Sequence, residues 1–243
     1  MSENIIIGRN SVQEALRAGR PLDKIYVRSG EPDAALGRII TAARRARIPI
    51  TEADKRRLDT MAEGGNHQGV IALAQLYPYV EVRDILAFAA EKGEAPFLVL
   101  CDRIYDPHNL GAIIRTANAA GAHGVVITKH EGVGITATVD KTSAGAASHT
   151  RIARVTSLPN TISYLQKEGV WVTGADGSGE TSLFDADFSG AVAIVVGNEG
   201  EGMARLVREK CDFLVKIPMR GQTESLNASV AAALFMYEVA RKR

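Results

Sequence analysis

Cysteine is scarce in this chain, with only Cys101 and Cys211 in 243 residues, far apart and outside any C-x-x-C pair. No cluster of His and Cys has the spacing of a zinc site, so no resident metal is expected. Two lone thiols fit a reducing cytoplasm, where the protein is expected to act. Membrane segments are also missing, since no apolar run reaches the length of a span. The opening Met1-Ser2-Glu3-Asn4 has no basic stretch leading into an apolar one, and no secretory signal is expected. Internal repeats and low-complexity tracts are absent. So are a Walker A sequence and a correctly spaced G-x-G-x-x-G, which leaves no nucleotide-binding fingerprint. Net charge is only +1, too little to hold nucleic acid by bulk charge alone.

What is present is ordinary in amount and uneven in placement. A hydrophobic share of 46% against 23% charged residues describes a globular protein able to bury a core without staples. The length allows one large domain or two small ones. Residues 1–75 hold 12 Lys and Arg against 9 Asp and Glu, a balance of +3, and the remaining 17 against 19 give −2. Two basic clusters lie early, Arg44-Arg45-Arg47 and Lys55-Arg56-Arg57. Each is either a phosphate contact or a solvated helix face.

Residues 1–75 read as a small α/β module. Ser11 to Glu14 has the form of a capping box, opening a short helix that ends near Gly19. Residues 24–28 and 69–75 read as strands. Residues 34–47 read as an amphipathic helix with Leu36, Ile39, Ile40 and Ala43 on one face. Gly64-Gly65-Asn66-His67 is a loop. Residues 76–95 are expected to connect the domains, with Pro78 breaking a strand and a helix from near Val82. From 96 onward strands and helices alternate. Apolar strands are expected at 97–101, 124–128, 170–174, 191–196 and 213–217, with helices at 110–120, 203–210 and 228–239. Continuous apolar strands separated by helices indicate a parallel sheet covered on both faces. Such sheets bind ligands beyond the carboxyl ends of their strands.

Three motifs fall at such ends. The first is Asp106-Pro107-His108-Asn109-Leu110-Gly111, followed by Arg115-Thr116. Asn109 reads as an N-cap, and Arg115 sits among apolar neighbours, so it must reach solvent or a partner, with Glu199 the candidate. The second is Val196-Gly197-Asn198-Glu199-Gly200-Glu201-Gly202, a glycine loop that lets backbone approach a ligand. The third runs from Ile217-Pro218-Met219 to Ser225-Leu226-Asn227-Ala228-Ser229, where Ser225 and Asn227 are both good N-cap residues for the apolar helix that follows. That helix reads as buried nearly all round.

In order, spacing and chemistry these motifs resemble the SpoU (TrmH-like) branch of the SPOUT methyltransferases, the third most specifically. The resemblance spans the chain and is greatest to the bacterial 23S rRNA guanosine 2′-O-methyltransferases, the RlmB-like enzymes. It implies an α/β domain at 96–243 tied in a deep trefoil knot, which no sequence rule would predict. It implies a small N-terminal RNA-binding domain like a ribosomal protein at 1–75, with 76–95 as linker. The reaction implied is methyl transfer from S-adenosylmethionine to a ribose 2′-hydroxyl of RNA. Gly197, Ile217 and Leu226 would hold the adenosine part of that cofactor, and Asn109, Arg115, Glu199, Ser225 and Asn227 would form the catalytic group. Expected partners are RNA, through Arg44, Arg45 and Arg47, and a second copy of the chain through 96–243. A tRNA ribose methyltransferase, and a non-catalytic RNA-binding or ribosome-assembly protein, are the competing readings. The N-terminal module favours rRNA over tRNA, and the intact motifs count against a dead enzyme.

Overall fold

The computed structural model describes residues 5–75 and 77–243. Residues 1–4, read as lacking a secretory signal, and Leu76, within the expected connection, lie outside the described residues. The chain divides into two compact units, 1–78 and 79–243.

Unit 1 is a four-stranded mixed sheet built from β1 (Ile5–Ile7), β2 (Leu22–Arg28), β3 (Ile50–Ala53) and β4 (Val70–Ala74), in the order β1-β4-β2-β3. The pairs β1/β4 and β2/β4 are antiparallel and β2/β3 is parallel. Helices α1 (Arg9–Arg17) and α2 (Ala34–Arg45) cover one face through Val12, Ala15, Leu36, Ile39 and Ala43. Helix α3 (Lys55–Ala62) covers the other, packing Leu58 and Ala62 on Tyr26 and Ile71. Ser11 does not start α1. The helix begins two residues earlier, after Gly8 at φ 89, and Glu14 pairs with Arg17 at 2.8 Å. The α2 helix stops short of 47, because Arg47 turns into the left-handed region at φ 56. The basic run at 55–57 is the first turn of α3, capped by the Asp54 carboxylate, which accepts from the Arg57 backbone N–H at 2.7 Å.

Unit 2 opens with α4 (Val82–Glu91), inside the expected connection. Val82 and Ile85 pack in the core of this unit, and Val80 bridges to Ala153 at the sheet edge, so residues from 79 on belong to it. Its sheet contains β5 (Phe97–Cys101), β6 (Gly124–Thr128), β7 (Ile152–Val155), β8 (Trp171–Ala175), β9 (Thr181–Ser182), β10 (Val192–Val196) and β11 (Phe213–Lys216). Every pairing is parallel, in the order β7-β6-β5-β10-β8-β11-β9. Alternate residues point to opposite faces. Leu98, Leu100, Ala193 and Val195 meet α4, α7 (Leu158–Lys167) and α8 (Arg205–Lys210). The other face is covered by α5 (Pro107–Ala119) and α9 (Ala228–Lys242), which pack on each other, and α5 also packs on α6 (Ala137–Thr142). From β5 the chain moves outward to β6 and β7. It then returns on the other side of β5 through β8 and β10, which leaves a switch point between β5 and β10.

The α9 helix is not buried all round. Ala232, Phe235, Met236 and Val239 face the sheet, while Val230, Leu234 and Tyr237, spaced by four and three on the opposite face, are exposed. Gly111, in the first turns of α5, allows the close approach of α6. A Cβ there would stand 2.7 Å from Thr142 Cβ and 2.9 Å from the Val139 carbonyl. Helix propensity alone favours Gly111→Ala by about 1 kcal/mol. Overpacking costs about 1–3 kcal/mol and wins, because one obstacle is backbone. Gly111→Ala should therefore lower the denaturant midpoint of unit 2, followed through its Trp171. An unchanged or raised midpoint would show that α6 yields freely.

Candidate functional site

Three loops converge at the carboxyl edge of the sheet. The loop after β5 leads into α5, whose N-cap is Asp106, accepting from the His108 N–H at 2.9 Å, with Pro107 at the first helical position. Asn109 is therefore not the cap. It lies inside the first turn, buried, with its amide turned toward the neighbouring loop. The Asn109 amide donates to Glu199 Oε1. Asn227 Nδ2 donates to Asn109 Oδ1 at 2.9 Å and lies 3.5 Å from Glu199 Oε1. Asn227 also caps α9, its Oδ1 accepting from the Ser229 N–H at 2.9 Å. One carboxylate thus joins the segments after β5, β10 and β11.

Arg115 is not the partner of Glu199. Its side chain is exposed and forms no hydrogen bond or ion pair among the described residues. The two amides supply the donors that Glu199 was expected to draw from Arg115. Ser225 is exposed and does not cap α9.

The loop after β10 is held closed. Asn198 and Gly202 exchange backbone bonds at 3.1 and 2.9 Å. Asn198 Oδ1 accepts from the Gly200 N–H at 2.9 Å and from the Glu201 N–H at 3.3 Å. Gly197 admits no side chain, since a Cβ would stand 2.4 Å from the Met203 nitrogen. From the β5 side, Arg103 reaches across with Nη1 at 2.6 Å from Glu201 and Nη2 at 3.1 Å from the Gly202 carbonyl. Its backbone is left-handed, at φ 55, a conformation kept only under outside constraint. Asp102, 2% exposed, accepts from the Ala204 N–H. Burial raises its carboxyl above the ordinary carboxylate range, against the lowering effects of that N–H and of Arg103. Neither Asp102 nor Arg103 stood out in the sequence, because each acts on a loop distant along the chain.

These loops enclose a cavity of about 400 Å3, lined by residues 175–178, 196–202 and 224–226, with Val215, Ile217, Met219, Ala228, Ala231 and Phe235. Gly197, Ile217, Leu226, Glu199 and Ser225 all line it. Asn109 and Asn227 stand behind it and hold Glu199, and Arg115 is apart. The 175–178 stretch was missed, although Gly174-Ala175-Asp176-Gly177 repeats the strand-then-glycine pattern seen after β10. The lining carries Asp176, Glu199, Glu201 and Glu224 and no Lys or Arg. Asp176 is 3.5 Å from Arg208 and Glu201 is paired with Arg103, so Glu199 and Glu224 are left without a cation among the described residues. Apolar walls with uncompensated carboxylates suit a partly apolar cation and repel phosphates. Burial pushes the Cys101 and Cys211 thiols up to about 12, so neither is a nucleophile near neutral pH. No group of three or more His, Cys, Asp or Glu among the described residues is placed to hold a metal.

The geometry of the loop after β10 is testable by itself. Asn198→Ala removes the acceptor shared by two backbone N–H groups. Amide exchange at Gly200 and Glu201 should then accelerate at least about tenfold with the global melt nearly unchanged. Wild-type exchange rates would show that the loop holds its shape without that side chain.

Comparison with known proteins fits this arrangement. Residues 96–237 match the SpoU rRNA Methylase family, and residues 5–80 match the RNA 2′-O ribose methyltransferase substrate binding family. YacO of Bacillus subtilis, named for the TrmH family of tRNA/rRNA methyltransferases, is 46% identical over 98% of this chain and 95% of its own. A protein of Staphylococcus haemolyticus named for the same family is 42% identical over 100% of this chain and 97% of its own. Among solved structures, the SpoU methyltransferase AviRb from Streptomyces viridochromogenes, in complex with the cofactor AdoMet, superposes with a TM-score of 0.62. It is 25% identical, over 98% of this chain and 89% of its own. With matches over both units and most of its length, this chain belongs to the SpoU rRNA methylase family.

Proposed function

We propose that this chain is an S-adenosylmethionine-dependent RNA ribose 2′-O-methyltransferase whose substrate is a guanosine of 23S rRNA. The observation that carries the reaction class is the acid-lined cavity at the switch point of the parallel sheet. S-adenosylmethionine brings to such a site a methyl group on a cationic sulfur that leaves readily. The apolar walls at Ile217 and Leu226 suit its adenosine, and Glu199 and Glu224 suit its positive charge. The AdoMet complex of AviRb supports the assignment. The 23S rRNA guanosine rests on the resemblance across all three motifs together with the matched substrate-binding unit.

The remaining work falls to the chain's own residues. Asn109 and Asn227 fix the Glu199 carboxylate, and Ser225 lines the same cavity. In-line displacement is mostly positioning, and these groups position. Arg115, exposed and unpaired among the described residues, stabilises the developing ribose oxyanion and clamps a neighbouring phosphate. It is no base, since a guanidinium stays protonated at any working pH. Residues 1–75 select the RNA, with Arg44, Arg45 and Arg47 meeting phosphates. Residues 96–243, knotted as in the family, carry the chemistry, and the enzyme works in the cytoplasm.

Two experiments test this reading. Calorimetry should show S-adenosylmethionine binding to the wild type, and to Arg115→Ala with little change. Methyl transfer by Arg115→Ala, read by mapping ribose methylation on 23S rRNA from a deletion strain, should fall about hundredfold or more. Arg115→Lys should fail as well, because a point charge does not reproduce the planar fork. Absence of cofactor binding by folded protein would end the proposal, and near-normal turnover in Arg115→Lys would end the bidentate role.

The enzyme is further proposed to be a homodimer through unit 2. The exposed stripe of Val230, Leu234 and Tyr237 on α9 supports this, being more apolar than a solvated helix face requires. Leu234→Arg should shift sedimentation from dimer to monomer at micromolar concentration. A wild-type monomer would refute the dimer, and an unaffected dimer in the variant would place the contact elsewhere.

A further inference from the structure

Unit 1 contains a cavity of about 740 Å3, within the range that takes a nucleotide-sized ligand. Its rim is formed by the start of α1, the turn after β2, the start of α3 and the loop leading into β4. That last loop holds two non-glycine residues in the left-handed region, Glu63 at φ 47 and Gln68 at φ 51. Such backbone persists only where the surroundings impose it, and it concentrates at functional sites. Here they do impose it. The Gln68 carbonyl accepts from Arg9 Nε at 2.9 Å, and Gln68 Oε1 accepts from the Arg9 N–H at 3.2 Å. His67, 8% exposed, accepts from the Gly69 N–H through Nδ1 at 3.0 Å, and its Nε2 lies 3.0 Å from Asp59. The result is a rigid rim on which Asn66 stands exposed, its side chain making no hydrogen bond among the described residues.

The charges in this cavity are mixed, and their pairing decides its sign. Asp33 is bonded to Arg9 at 2.7 Å and Asp59 to His67. Arg28 and Lys55 are exposed and have no ion pair among the described residues, against the single carboxylate of Glu31. Arg56 and Arg57 follow Lys55 on α3 and add to the positive field. Arg44 and Arg45 stand at the far end of α2 from its cap Asp33, which lines the cavity. Twelve residues of helix separate the two ends, about 18 Å at 1.5 Å per residue. The cavity is therefore distinct from that basic cluster.

We propose that this cavity seats one unpaired nucleotide of the substrate RNA. Its flanking phosphates lie against Arg28 and Lys55, and its base edge meets Asn66 and the fixed backbone at Gln68. Two free cations beside a rigid polar edge match a splayed-out nucleotide, the form in which single-stranded RNA exposes its bases. The inference rests on the RNA methyltransferase reading and adds to it where, and by what chemistry, unit 1 selects its RNA.

The test uses the full chain and a fluorescent 24-nucleotide single-stranded RNA of mixed sequence, with anisotropy read across a salt series. Arg28→Gln with Lys55→Gln should weaken binding about tenfold or more at 0.1 M salt. It should also make the slope of log affinity against log salt shallower by about 1.4, the value for two lost phosphate contacts on a single strand. Asn66→Ala should weaken binding severalfold with the slope unchanged, because it removes no charge. Calorimetry with S-adenosylmethionine on the same samples should give wild-type affinity, showing unit 2 intact, and an unchanged circular dichroism spectrum and melt show that unit 1 is folded in each variant. If the wild type binds RNA and cofactor but the Arg28/Lys55 variant keeps wild-type affinity and slope, the cavity is not the seat. If that variant weakens while Asn66→Ala does not, the site is a phosphate patch and the nucleotide seat is overturned. If the wild type binds neither ligand, the methyltransferase reading itself falls and takes this inference with it.

Discussion

The Glu199 carboxylate is the point at which three distant segments of the chain become one site. It sits on the loop after β10 and is held from α5 by Asn109 and from α9 by Asn227, which also hydrogen-bonds to Asn109. An asparagine side chain can donate and accept at once, so two of them form a chain of bonds that ends on the carboxylate. The choice of amides has a further consequence. A lysine or arginine in the same place would neutralise Glu199, whereas neutral donors leave its charge facing the cavity. Asparagine to aspartate at 109 or 227 would set a second carboxylate against the first, and leucine at either position would take away one of the two donors of Glu199. The packing of α5 on α9 fixes the distance these bonds must span, and Gly111 on α5 sets how near α6 can come from the other side.

A second set of bonds holds the same loop from another side of the site. Asp102 and Arg103, just past β5, take hold of the Ala204 N–H, Glu201 and the Gly202 carbonyl. The far end of the loop after β10 is thereby fixed, and Asn198 closes the loop from within. Arg103 spends its charge on Glu201, as Arg208 does beside Asp176. The two carboxylates left without cations, Glu199 and Glu224, are the ones on the side of the third motif. The field inside the cavity is thus set by which acids are paired, and the number of acids alone does not give its sign.

Much of this was legible in the sequence, for identifiable reasons. The strands β5, β6 and β10 are continuous, wholly buried apolar runs, and a buried parallel strand leaves little other pattern to read. The strand β7, with the half-exposed Arg154 and Val155, and the two-residue β9 are too short and mixed to show that signal. In unit 1, α3 reads as a charge cluster because its first turn is entirely basic, and only Leu58 and Ala62 are buried. Ser11 has the local form of a cap, yet Gly8 supplies the turn that lets α1 begin earlier. The expected bond between Arg115 and Glu199 followed from each residue taken separately. It failed because Asn109, placed by the Asp106 cap inside the helix rather than before it, reaches Glu199 first. Sequence patterns indicate which loops meet at a sheet edge. Which side chains bond there depends on a shift of two or three residues in where a helix starts.

That shift also bears on the chemistry. An arginine bound to Glu199 would be locked into the architecture, its charge already spent before RNA arrived. Arg115 left free on the surface of α5 keeps a full charge for a ligand that brings negative charge of its own. In the proposed reaction the phosphates beside the target ribose would bring that charge, as would the ribose oxygen as its proton leaves. In the proposed reaction this guanidinium would stabilise both without taking the proton, which would pass to another group. The division of charge follows the same logic. A cationic methyl donor requires a cavity with unpaired carboxylates, and an anionic substrate requires cations that stay clear of them. Holding Glu199 with amides, and leaving Arg115 apart and without a partner among the described residues, keeps the two charges separate.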